Sequence, residues 1–260
     1  MRMIQIEQLM QQAIADGVFP GAVLLVSKSS RCVFHDAVGF RNLLTASPMT
    51  TDTFFDLASL TKPLATALAV MVLVQQNKVA LDQEIGDVLP AFKKDAKAPI
   101  QIQHLLYHNS GLAAYRAFYK KIERLPQKNR KAALRKLLVK EPLVLPIGRH
   151  VVYSDIGFMI LEWLIEEICG KRFDRFVSEA IYDPLGLGNL FFIDMEIECK
   201  PGVFAATEQC RWRQQLQSGQ VHDENAYAVG GVQGHAGLFG AAMDVHRLLG
   251  HLLAAWHGQP

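Results

Sequence analysis

The sequence has no apolar run long enough to cross a bilayer. Its longest, Leu64 to Val74, covers 11 residues with one Thr inside it, whereas a spanning helix needs about 18 or more. It reads as a buried core helix. The N-terminus, Met1 to Gly17, scatters Gln, Glu and Asp among Ile4, Ile6, Leu9, Met10, Ala13 and Ile14, so it lacks the continuous apolar centre of a signal peptide. A cytoplasmic location is expected, or a periplasmic one for a chain whose leader has been removed. Cysteine is scarce. Cys32, Cys169, Cys199 and Cys210 form no C-x-x-C, and the nearest pair is eleven residues apart, so neither a zinc site nor a disulfide framework follows. Reduced, mostly buried thiols are expected instead. An excess of one charge is missing too: a formal net charge of +2 creates no overall field to recruit nucleic acid or an anionic membrane. No phosphate-binding glycine loop and no G-x-S-x-G turn is present, which removes two common routes to phosphoryl and acyl transfer.

What is there is a globular chain. Of its 260 residues 50% are apolar and 20% charged, and a chain of this length buries roughly 70–75% of its extended surface on folding. A first helix should end near Asp16-Gly17, followed by a hairpin of Ala22 to Ser27 with Arg31 to Val38 across the polar Lys28-Ser29-Ser30. A short strand around Phe54 to Leu57 leads into the apolar helix. Pro63 is tolerated only within the first helical turn, so that helix must start close to Ser59. From Ile100 the pattern turns helical: Ile100 to His108, a polar stretch from Leu112 to Lys140, Asp155 to Cys169 and Arg172 to Tyr182. Leu190 to Ile193 suggests a short strand, and glycines at 230, 231, 234, 237 and 240 precede a last helix from about Ala241 to Trp256. An α+β fold with two subdomains and a cleft between them follows.

The stretch 112–140 holds ten Lys or Arg against one acid, Glu123. Such asymmetry can mark an anionic partner. No RNA-binding loop, recognition helix or aromatic stacking set accompanies it, and Ala133, Leu134, Leu137 and Leu138 recur as on an amphipathic helix, so a solvated helical face is expected.

Ser59-x-x-Lys62 at a helix start carries chemistry. Residues three apart share a helix face, so the Lys62 side chain can reach the Ser59 hydroxyl. The helix N-terminus favours negative charge developing on a substrate. A serine needs a base, and lysine is one only where its surroundings bring its pKa toward neutrality. Alone, the pattern equally describes an N-cap serine and a surface lysine.

The surrounding text is more specific. Phe55-Asp56-Leu57-Ala58-Ser59-Leu60-Thr61-Lys62 is followed by Leu81-Asp82, by Ile102 to Leu112 (IQHLLYHNSGL), by Pro146-x-Gly148 and by Tyr153-Ser154-Asp155-x-Gly157-Phe158. In this order the motifs, spanning roughly residues 17–256, resemble the serine β-lactamase and penicillin-binding-protein superfamily. The likeness is greatest to its class C branch with the related esterases and D-alanyl-D-alanine peptidases. The resemblance implies a β-lactamase-like α+β fold, with an antiparallel sheet flanked by helices and an all-helical subdomain. One domain would cover 1–260, with 1–80 and about 200–260 forming the sheet-and-helix part and about 80–200 the helical part. It implies Ser59 as the acylated nucleophile, Lys62 as its proton partner and Tyr153 as the tyrosine that moves protons between nucleophile, leaving group and water. No metal or organic cofactor is implied.

Two departures qualify the resemblance. Asp155 stands where the branch usually has Asn, and an acid cannot donate the amide hydrogen bond that Asn gives a substrate carbonyl. Asp155 is thus a weakened substrate-binding residue or simply a helix N-cap. The family's third motif, K-T-G or H-T-G, has one formal counterpart, His235-Ala236-Gly237, which runs into what reads as a loop before a helix with no partner strand. Either the chain stops before the true third motif and is C-terminally incomplete, or His235 takes the motif's substrate-binding place.

Three functions follow. The first is hydrolysis of small esters or β-lactam-like substrates through an acyl-enzyme on Ser59. The second is D-alanyl-D-alanine peptidase action on peptidoglycan peptides. The third is an inactive relative that binds a ligand or partner through the helical block. Expected partners are a small-molecule ester, β-lactam or D-alanyl peptide, with no nucleic acid, no membrane span and a homodimer through an unpaired sheet edge. His104-x-x-x-His108 has metal spacing but lacks the Glu of H-E-x-x-H and matches a structural helix of the family. His222 to Asn225 clusters polar groups before the glycine-rich segment and reads as a loop anchor, with substrate contact the alternative.

Overall fold

A computed structural model describes residues 3–29, 31–195, 197 and 202–258. Ser30 and Cys199 lie outside the described residues. The chain opens with α1 (Met3–Ala15), whose Ile6, Met10 and Ile14 pack on Phe34 and Val38. The antiparallel hairpin β1 (Gly21–Lys28) and β2 (Arg31–Asn42) follows, in a register that sets Gly21 against Gly39 and Leu24 against Asp36. The short β3 (Ser47–Pro48) lies on its far side, giving the order β1-β2-β3. Among the described residues β1 pairs only with β2, so its other edge is open.

β4 (Phe55–Asp56) then delivers the chain to a helical rod, Ala58–Gln75. The rod changes pitch along its length: a tight turn at Ala58–Leu60, a wide π-helical stretch at Lys62–Ala67 that accommodates Pro63, and regular α2 (Leu68–Gln75). The π-type winding explains how a proline enters so near the start, since its missing N–H and its ring are absorbed where the ladder is already irregular. Leu64, Ala65, Leu68, Ala69 and Leu73 are buried in the main core, and burying a Leu stabilises by about 1.5–3 kcal/mol. By length and composition this rod passes for a membrane span, but half of it is buried within the protein.

Helices α3 (Ile85–Val88), α4 (Ile102–Leu106), α5 (Tyr119–Ile122), α6 (Gln127–Lys140), α7 (Asp155–Cys169) and α8 (Phe173–Val177) follow, and α7 packs on the rod while α3, α4, α6 and α8 pack on α7. The central member is α7: the Ser154 side chain caps its N-terminus by accepting from Gly157 N, and Gly170 ends it at φ +65°. Tyr182, beyond α8, donates its hydroxyl to the Leu64 carbonyl at 2.9 Å and ties this layer to the rod.

The remaining elements are β5 (Leu190–Phe192), β6 (Ala206–Cys210), β7 (Gln215–Ser218), α9 (Glu224–Ala228), β8 (Leu238–Gly240) and α10 (Ala242–Trp256). The segment after His235 therefore differs from its sequence reading. Leu238–Gly240 is a strand, paired antiparallel between β4 and β5. Its residues are too few for a two-residue period to show, and tertiary pairing decides the conformation. Phe54, Phe191, Phe204 and Phe239 pack around this small sheet. The thiols also correct expectation: Cys32 is exposed, Cys169 half-buried and only Cys210 buried, all three free.

Candidate active site

The rod's first turn is shaped by Asp56. Its carboxylate accepts from Ala58 N at 2.8 Å, an Asx-turn, and from His222 N at 2.6 Å. This holds Ala58 in the left-handed region at φ +47°, a conformation that costs a non-glycine residue about 1–2 kcal/mol. Burial raises the Asp56 pKa, opposed by the two backbone donors. The strained residue presents Ser59 to solvent at the head of the rod. Strain of this kind concentrates at functional sites.

Lys62 lies one turn inside, 3% exposed. Its Nζ donates to Ser59 Oγ at 3.0 Å and to the His235 carbonyl at 3.0 Å, and it pairs with Asp155 Oδ1 at 2.7 Å. Three acceptors surround a group with three donors, the shell of an ammonium. The shortest of the three contacts is to the carboxylate of Asp155. That residue is not the cap of α7, a role taken by Ser154, and its Oδ1 is engaged with Lys62.

Tyr153 covers the same group, its ring centroid 4.8 Å from Lys62 Nζ and 4.5 Å from the His108 ring. Among the described residues its hydroxyl makes no hydrogen bond, and the side chain is 54% exposed, so the phenol is free to meet a ligand. His108, at φ +58°, accepts from Ser154 N through Nδ1 at 3.0 Å. Burial, with the Lys62 charge next, lowers its pKa and leaves a neutral imidazole at pH 7. His104 accepts from Gln101 N within a capping box. No metal-binding group of His, Cys, Asp or Glu is found among the described residues.

Ser59, Lys62, His108 and Tyr153 form one end of a cleft of about 1020 Å³. From there it runs along the outward face of the rod past Met71 and Val74 to Leu81 and Tyr107. A polar cluster at the end of an apolar channel suits a ligand with one reactive polar group and an apolar body.

His235, the alternative holder of the third motif's substrate-binding place, does not face the cleft. Its ring is 1% exposed and turned onto Asp223, with Nε2 2.8 Å from Oδ1, and none of His235, Ala236 and Gly237 lines the cleft. Only the main-chain carbonyl of His235 reaches the site, through Lys62. The stretch His222 to Asn225 anchors its surroundings: Asp223 caps α9 by accepting from Ala226 N, and Asn225 bridges Arg116 O and Tyr119 N. The basic stretch is partly neutralised, since Lys131 and Arg135 pair with Glu162 and Glu166 of α7. The sequence reading gives Asp56 and Ala58 no site role and His108 only that of a metal-spaced partner of His104. Of these only Asp56 carried a readable signal, an acid two residues before a turn.

The description "Beta-lactamase" fits residues 6–260 of the chain as a family profile. An N-acetylmuramyl-L-alanine amidase of Bacillus subtilis (strain 168) is 35% identical over 94% of this chain and 61% of its own length. A putative D-alanyl-D-alanine carboxypeptidase of Escherichia coli (strain K12) is 32% identical over 97% of this chain and 64% of its own. The chain thus spans a little over three fifths of the curated relatives it matches. Among solved structures, the octameric penicillin-binding protein homologue from Pyrococcus abyssi superposes with a TM-score of 0.76 at 24% identity, over 96% of this chain and 56% of that one. At that identity the likeness speaks to the fold.

Proposed function

The chain belongs to the beta-lactamase family, and we propose that it is a serine hydrolase that passes an acyl group from a small ester or β-lactam-like substrate to Ser59 and then to water. The observation that carries this reading is the 3.0 Å contact of Lys62 Nζ with the exposed Ser59 hydroxyl at the head of the rod. Ser59 Oγ forms the bond to the substrate carbonyl carbon and the leaving group departs. The Ser59 proton passes to Lys62 as the ammonium yields one of its own to Asp155 Oδ1, 2.7 Å away, and Lys62 then protonates the leaving oxygen or nitrogen with Tyr153 alongside. Negative charge on the carbonyl oxygen is met by the rod's N-terminal end and the Ser59 N–H. Water repeats the sequence in reverse to release the acid.

The apolar wall of Met71, Val74 and Leu81 supports esters with an apolar portion. Carboxamide substrates such as D-alanyl peptides are the second reading, favoured by the names of the amidase and carboxypeptidase relatives. Against it stands Asp155, whose carboxylate faces Lys62 and has no amide hydrogen to offer a peptide carbonyl. A fluorophosphonate or fluorescent penicillin, followed by peptide mapping, tests the proposal: the label should fall on Ser59 and vanish in Ser59→Ala, whose melting temperature stays near that of the parent. Labelling undiminished in Ser59→Ala would end it, and no labelling of the parent would favour a binding role.

A further inference from the structure

Buried His235 and half-buried Asp223 pair beside the site, yet their side chains touch neither the cleft nor Ser59. The His235 ring is enclosed, its Nε2 is bonded to Asp223, and its Nδ1 is buried without a hydrogen-bond partner among the described residues. A buried ring nitrogen left unpartnered is costly, so a hydrophobic residue would fill this space with less loss. What the ring achieves lies on the main chain of the same residue, at its own carbonyl.

That carbonyl belongs to a tightly clamped loop. Thr66 Oγ1 donates to Gly234 O at 2.6 Å, and Thr61 Oγ1 accepts from Leu238 N at 3.1 Å. Gly234 is pressed against α7, where a Cβ would come within 2.4 Å of Phe158 O, and Gly237 turns the chain at φ +111°. The clamps fix both sides of residues 235–237, and between them the His235 carbonyl accepts from Lys62 Nζ. The His235 ring adds a restraint of its own, because Asp223 is itself fixed as the cap of α9. Burial pushes the Asp223 pKa up, but the His235 ring, Ala226 N–H and the Lys62 charge together hold it down at about 2. Its carboxylate is therefore ionised at neutral pH, and a charge-assisted bond to the ring is correspondingly strong.

We propose that Asp223 and His235 are a positioning pair for Lys62: the side-chain bond between them fixes the 235–236 peptide so that the His235 carbonyl holds Lys62 Nζ in line with Ser59 Oγ. Without that acceptor the amine would swing toward Asp155, its shortest contact, and away from the nucleophile. This deepens the proposed acyl transfer and rests on it for the meaning of the Ser59 contact. The other groups facing Lys62 are Asp155, Tyr153 and His108, and those beside Asp223 are Asp56 and Glu224. None of them contacts the His235 carbonyl.

Asp223→Asn keeps the helix cap and removes the charge. His235→Leu removes the bond, and His235→Gln retains a donor. Acylation by an activated ester should slow about 10–100-fold in Asp223→Asn and His235→Leu, the range expected when a reacting group is displaced by about 1 Å, with KM little changed and His235→Gln closer to the parent. The pH dependence of acylation and the NMR titration of the ¹⁵N-labelled Lys62 side chain should shift together in the slow variants, which a loss of folded protein alone would not produce. Parent-like acylation by Asp223→Asn overturns the pairing, as does slower acylation with an unmoved Lys62 titration. If His235→Leu does not fold, the other two variants decide. If the parent never acylates, the hydrolase reading falls, and the Lys62 titration alone still decides whether this pair holds the amine.

Discussion

Glu162→Gln should make the protein more stable at pH 8 and leave it unchanged at pH 4. Glu162 projects from α7 into the core, 2% exposed. Its Oε1 is 2.6 Å from Lys131 Nζ, which also meets Glu166 at 2.6 Å. Burial pushes the Glu162 carboxyl up to about 7, with the Lys131 charge opposing and the like charge of Glu166 adding. In the unfolded chain the same group ionises near 4.5. Between those values the folded state binds more protons, so stability is fully present below about pH 4.5 and falls as pH rises toward 7. The loss amounts to about 3 kcal/mol. Glutamine has the shape of the protonated acid and no charge to desolvate, and Lys131 keeps Glu166 as its partner. Burial acts on Glu166 too, but Lys131 outweighs it and holds that carboxyl low, so Glu166 contributes the opposite slope at more acid pH in both proteins. Urea unfolding at pH 4, 6 and 8 measures the difference, expected to grow from near zero to about 2–3 kcal/mol in favour of Glu162→Gln. A variant less stable than the parent at pH 8 would mean that the ion pair outweighs desolvation, and the reasoning would fail.

Lys62→Arg should acylate at least about 100-fold more slowly, because guanidinium stays protonated and cannot relay the Ser59 proton; stopped-flow acylation at the parent rate would remove Lys62 from the proton path. With p-nitrophenyl esters, kcat/KM should rise by up to about 4-fold per added methylene from acetate to hexanoate, since each buried methylene is worth about 0.8 kcal/mol, and Met71→Asp should flatten that series; a flat series in the parent would show that the apolar channel is not used. The open edge of β1, bordered by the apolar groove of Phe19, Leu57, Leu60 and Leu249, should pair with another chain. Sedimentation velocity across a hundredfold concentration range is expected to show a concentration-dependent dimer, and a monomer throughout would refute it.

The sequence by itself determined the strongly periodic elements and the meeting of Ser59 with Lys62. Helix α7 falls on Asp155–Cys169 as its apolar spacing requires, and α1 and the β1–β2 hairpin follow from amphipathic period and turn chemistry. Ser59 and Lys62 meet because three residues along a helical turn is a local geometry, fixed whatever else the chain does. Tertiary structure decided what no local pattern encodes. Leu238–Gly240 becomes a strand only because β4 and β5 lie on either side of it. Asp155 faces Lys62, and His235 turns inward to Asp223 while lending only its carbonyl, because α7 and the glycine loop converge on the rod from positions about 90 and 170 residues away in sequence. The charge state and direction of a polar group depend on which neighbours the fold supplies, and those neighbours are remote in the chain.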